Sequence, residues 1–140
     1  MLDHINNLNP KKLLEKAYDQ VSPEIEEMIR DRLYKEGTRA DESKIITFAN
    51  APGEVYATST IKRKRKKGQP SDRVTLKDSG DFYGTIDAEA KDNFVEITGD
   101  TDKFSSTVAP EGVLDLTSDQ WTSINAKVVD IITDEIRDSI

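Results

Sequence analysis

Asp100, Asp102 and Glu111 stand at positions 1, 3 and 12 of a calcium-loop pattern, where carboxylate oxygens would close on a hard cation. The pattern breaks at its fifth position, Phe104, and at its sixth, where Ser105 stands in place of the sharp-turn glycine. These acids therefore read as a solvated loop. A second group is the run Lys62, Arg63, Lys64, Arg65, Lys66 and Lys67, six consecutive cations followed by Gly68, Gln69 and Pro70. Its chemistry is electrostatic: contact with phosphate or with a partner's carboxylates, salt-sensitive and blind to base sequence. The single histidine, His4, lies near the start of the chain, and there is no cysteine. That composition excludes disulfides, zinc-thiolate sites, cysteine nucleophiles and histidine-based triads. No carboxylate pair is set apart by apolar neighbours, and no nucleophile elbow or phosphate-cradling glycine loop is present. The chain reads as a non-enzyme with no cofactor and no metal.

Charge is unevenly spread. Residues 1–59 sum to −3, residues 60–80 to +6 and residues 81–140 to −10, within a net charge of −7. A positive protrusion and an acidic flank on one chain suit head-to-tail contact between identical subunits, or a monomer with a solvated basic loop. No apolar stretch approaches the roughly 18 residues that span a bilayer, and the first residues lack the layout of a signal peptide. A soluble protein made in a cytosol is expected, with no membrane partner.

Elements must hold these groups in place. At 140 residues the size prior gives one domain, 1–140, able to bury a single core. Asn9 before Pro10 is a helix start, and Leu14, Tyr18, Val21, Ile25, Met28, Ile29 and Leu33 follow at helical spacing. Pro23 interrupts this pattern, so the reading is a helix over 10–21 and a longer one over 23–36, or one helix kinked at the proline. Gly37 stands where a left-handed cap is usual. Residues 44–58 are β-branched and aromatic around the turn Asn50-Ala51-Pro52-Gly53, and read as strands or as an ordered loop. Thr58, Ser59 or Thr60 would cap any helix entering the basic run. Repulsion among like charges weakens such a helix, so a flexible basic arm over 59–71 is expected.

Beyond the arm, Ser79 is placed to cap a turn carrying Phe82 and Ile86 on one side. Ile86, Ala88 and Ala90 then alternate with Asp87 and Glu89, Lys91-Asp92 makes a turn, and Phe94, Val95 and Ile97 begin a second strand. Thr117 with Gln120 forms a capping-box pattern, with Leu116 and Trp121 at the staple positions. Trp121, Ile124, Val128, Ile131, Ile132 and Ile136 make the apolar stripe of a last helix ending near residue 138, while Val129 lies off the stripe. The fold class is α+β: a small antiparallel sheet packed against N-terminal helices and a C-terminal helix, with a long mobile basic loop or arm.

The segment TIKRKRKKGQPSDRVTLKDSGDFYGTI resembles the central part of small tail-completion and head-to-tail joining proteins of tailed bacteriophages, including the virion-morphogenesis family of Mu-like phages. In that family a Lys-rich stretch precedes a leucine, Thr or Ser with Gly, a bulky apolar residue, and Ser or Thr before Ile. The matching places are Leu76, Ser79, Gly80, Phe82, Thr85 and Ile86, and VLDLTSDQWTSI resembles the family's capped terminal helix. After the hairpin, where family members often carry Tyr-Ala and a Phe- or Glu-Gly motif, this chain has DKFSSTVAPEG.

The resemblance implies a structural virion protein of the phage neck or tail joint, assembled in the host bacterial cytoplasm. It would form a homo-oligomeric ring, six- or twelve-fold, that meets portal, neck or tail proteins and lets DNA pass. Lys62 to Lys67 would then contact a neighbouring subunit or, without sequence preference, the genome. A small non-enzymatic DNA-binding module is the rival reading, and a regulatory protein acting through its acidic C-terminal face is a third.

Overall fold

The computed structural model describes residues 9–92 and 94–140. His4 lies outside them. Helix α1 spans Pro10–Lys35, α2 spans Thr58–Lys66 and α3 spans Ser118–Ser139; strands β1 (Asp87–Ala90) and β2 (Val95–Thr98) form an antiparallel pair. Short 3₁₀ turns cover Tyr83–Thr85 and Thr101–Lys103. This is the α+β arrangement read from the sequence. Among the described residues, no helix is long and apolar enough to cross a membrane.

The first helix is continuous through Pro23, correcting the division into two helices. Proline removes one backbone donor, but the apolar positions keep their phase on both sides of it: Val21, Ile25, Ile29 and Leu33 are all buried. Ser22, just before the proline, turns its Oγ back to donate to the Tyr18 carbonyl at 3.0 Å. Asn9 caps the start by accepting from the Lys11 and Lys12 amides. Gly37, at φ +62°, turns the chain out of the helix, and its amide donates to the Leu33 carbonyl.

α1 is the spine against which β1 and α3 pack. Two strands alone are marginal in water, and α1 supplies what they lack. Glu26 Oε2 accepts from the Ala88 amide at 2.9 Å, while Arg30 donates to the Tyr83 and Ile86 carbonyls. The expected alternation is observed, with Ile86, Ala88 and Ala90 buried and Asp87 and Glu89 exposed. Ala88 pairs with Ile97 and Ala90 with Val95; Phe94 precedes the strand and is exposed. On α3, Ile124 and Val128 enter the core, and Trp121, Ile131 and Ile132 pack partly against it. The capping box at Thr117 is complete in both directions.

Residues 44–57 form an ordered loop, without the strands that were the other reading, and Thr58 already belongs to α2. Their amides face different parts of the chain: Ile45 donates to Gly37, Thr47 to Val55 and Phe48 to Thr107. With donors divided in this way no ladder propagates, and only an isolated bridge joins Thr38 to Lys44.

Candidate interaction surface

The basic run takes helical form as most of α2. Ala57 is its N-cap and offers no side-chain cap bond, so none of Thr58, Ser59 and Thr60 serves in that role. Two side chains anchor the helix. Ile61 is buried in the core, and Lys64 is only 8% exposed, with its Nζ 4.9 Å from the centre of the Tyr56 ring. An ammonium over an aromatic face is attracted by the ring's negative quadrupole, while its aliphatic stem covers apolar surface. Burial lowers the Lys64 pKa from the ordinary lysine value; Asp78 opposes that shift, and Arg63 and Lys67 add to it. Gly68, at φ +71°, ends the helix, and the Gln69 amide donates to the Lys64 carbonyl at 2.8 Å.

The other cations stay outside. Lys62, Arg63, Arg65, Lys66 and Lys67 are exposed, and among the described residues only Lys67 of the run has an ion-pair partner, Asp78 at 3.8 Å. A groove of about 330 Å³ lies beside the helix. Phe48, Tyr56, Leu76 and Phe104 supply its apolar lining, and Arg63, Lys77 and Lys103 bring positive charge to it. Phe48 is 65% exposed. The aromatic lining was not legible in the sequence, because Phe48 and Phe104 reach α2 from loops on either side of it.

The motif positions divide between this groove and its support. Leu76 lines the groove with a left-handed backbone, φ 57°, a conformation that costs a side chain with a Cβ about 1–2 kcal/mol. The others build the turn behind it. Ser79 Oγ accepts from the Asp81 amide at 3.3 Å, Gly80 has φ +90°, and Phe82 packs edge-on to Phe104 at 4.7 Å. Thr85 Oγ1 donates to the Phe82 carbonyl at 2.7 Å and accepts from the Asp100 amide at 2.9 Å, and Ile86 is buried. Asp100 and Asp102 flank or lie on a 3₁₀ turn and Glu111 lies in the later turn closed by the Val113 amide donating to the Pro110 carbonyl; among the described residues no group of three or more acids and histidines is placed to hold a metal.

A second charged feature is the outer face of α3, where Asp119, Asp130, Asp134 and Asp138 are exposed. Val129 on the same helix and Ile140 at its C-cap are 60% and 59% exposed. The groove and the C-terminal part of this face, Asp130 to Asp138, lie toward opposite ends of α1, whereas Asp119 sits beside Gln120 and Arg32. Glu135 of α3 pairs with Lys16 near the start of α1 at 3.2 Å, whereas Arg73, next to the groove residue Val74, donates to the Tyr34 carbonyl at the other end. At 1.5 Å per residue, Lys16 and Tyr34 are about 27 Å apart along the helix.

No family model, curated protein or solved structure matches the chain.

Proposed function

We propose that the chain is a structural subunit of a tailed-phage neck or tail joint, a non-catalytic protein that assembles as a homo-oligomeric ring between portal and tail. The observation that carries this reading is the exposed row Lys62, Arg63, Arg65 and Lys66, without ion-pair partners among the described residues and fixed on a helix by Ile61 and Lys64. Exposed, uncompensated charge of one sign favours a partner of the other sign. The acidic α3 face of an identical subunit is one such partner, and the genome threading a ring is another. The motif from Leu76 to Ile86 adds the family resemblance. Portal, neck or tail proteins would contact the rims of the ring in the virion.

Electron microscopy of the purified chain and of necks isolated from virions tests this. Closed rings with six- or twelve-fold symmetry are expected; monomer-sized particles in both samples overturn the reading.

A DNA-binding module is favoured by the same unpaired cations together with exposed Phe48, a ring on which a base could stack. Replacing Lys62, Arg63, Arg65, Lys66 and Lys67 by Ser would then abolish salt-dependent DNA binding by the isolated chain. The ring reading expects lost assembly, with little free-chain DNA affinity to lose.

A further inference from the structure

We infer that the groove beside α2 receives the C-terminal half of α3 from a second copy of this chain, so that subunits join head to tail. This rests on the ring reading and names the two surfaces that would form it. The groove combines an apolar lining, Phe48, Leu76 and Phe104, with Arg63, Lys77 and Lys103. Its acid, Asp78, is taken up by Lys67.

The end of α3 has the opposite character. Val129 and Ile136, seven apart, lie along one flank of the helix, and Ile140 follows at its C-cap, four positions on. Val129 and Ile140 are largely exposed, and Ile136 is half-buried. Asp130, Asp134 and Asp138 run parallel to them at successive spacings of four and are exposed. The base on this surface, Arg137, is engaged by Asp134 at 3.4 Å. Apolar side chains would enter the lining while the aspartates meet the cations, which matches both hydrophobic and electrostatic character.

Geometry makes the contact intermolecular. The groove sits by the Tyr34 end of α1 and the α3 terminus by the Lys16 end, about 27 Å away along a continuous helix. One chain cannot seat its own α3 in its own groove without dismantling α1 against α3. Two different surfaces on each copy define a heterologous contact, which repeats until it closes into a ring or extends as a filament.

Charge reversal in two variants tests the pairing. One carries Arg63→Glu, Lys77→Glu and Lys103→Glu; the other carries Asp130→Lys, Asp134→Lys and Asp138→Lys. All six positions are exposed, and circular dichroism checks that each variant folds. By sedimentation velocity, wild type should assemble and each variant alone should stay monomeric. An equimolar mixture should regain wild-type assembly, because each reversed groove then faces a reversed helix. If wild type assembles and either folded variant also assembles alone, or the mixture fails to recover, this contact is wrong while the ring reading stands. Wild type that stays monomeric at every concentration removes both.

Discussion

Arg32 and Gln120, 88 positions apart in sequence, meet at 3.1 Å through the guanidinium Nη1 and the amide Oε1. Gln120 Oε1 also accepts from the Thr117 amide at 2.9 Å, and Gln120 Nε2 donates to the Met28 carbonyl. One side chain thus closes the cap of α3 and ties that cap to α1. Arg32, 3% exposed, donates further to the Thr38, Val113 and Asp115 carbonyls. Burial lowers its pKa, and the nearby negative charges of Asp115 and Glu36 oppose that shift.

Arg32→Ala should cost about 3 kcal/mol or more, since it leaves several part-buried oxygens without donors at about 1–3 kcal/mol each. Arg32→Lys should recover only part, because an ammonium cannot reproduce the planar fork. Urea unfolding measures both. Thr117→Ala should cost about 1 kcal/mol, and less when Arg32 is already removed, because Gln120 is shared by the two. Full additivity would show that cap and clasp act independently.

Gly37→Ala should destabilise far more than Gly53→Ala. Both residues have positive φ, but a Cβ at Gly37 would lie 2.8 Å from the Arg73 Cβ and 3.0 Å from the Val74 carbonyl, whereas nothing lies within 4 Å at Gly53. Conformational strain alone costs about 1 kcal/mol at each. The clash at Gly37 adds to it, and a thermal midpoint falling several degrees further for Gly37→Ala is the expected outcome.

Alkaline pH should weaken the fold through Tyr83. Its hydroxyl donates to the Thr75 carbonyl inside the protein, and burial first, then Tyr34 and Tyr56, raise its pKa above the usual value of 10.0. Burial also raises Tyr56. A phenol with a raised folded pKa stabilises fully below pH 10 and loses that contribution as pH climbs through the folded value. Lys64 acts in the opposite sense, its lowered pKa making its contribution more favourable as pH rises toward the ordinary lysine range. Absorbance at 295 nm followed with thermal midpoints should show late-ionising phenols coinciding with unfolding. Tyr83→Phe should cost about 1 kcal/mol at neutral pH and blunt the alkaline loss. An unchanged alkaline profile would contradict this.

Within the basic run, position decides the effect on stability. Ser at Lys62, Arg63, Arg65 or Lys66 should change stability by less than about 0.5 kcal/mol, as expected for exposed sites. Lys64→Ser should cost about 1 kcal/mol, because the Tyr56 ring loses its cation and the covering stem. Equal effects at Lys64 and its neighbours would remove the anchoring role.

Features set by near neighbours were legible in the sequence. Thr117 with Gln120 states a capping box in four residues, and the alternation from Ile86 to Ala90 states which face of β1 is buried. Pro23 misled because proline is a strong local breaker, although the phase from Val21 through Ile25 to Leu33 already carried the continuous helix. The anchoring of α2 was not legible: like charges argue locally against a helix, and what opposes that is Tyr56 and the core pocket for Ile61, both set by tertiary packing. Arg32 looked like one more helical cation, and its carbonyl partners lie up to 83 residues away. The groove was hidden for the same reason, its lining being assembled from four separate stretches of chain.

Native mass spectrometry of the wild-type chain, at increasing concentration and low salt, tests the central claim most directly. The monomer is 15.7 kDa, and a single closed species of six or twelve copies is predicted. A chain that remains monomeric throughout while binding DNA in a salt-dependent way would contradict it.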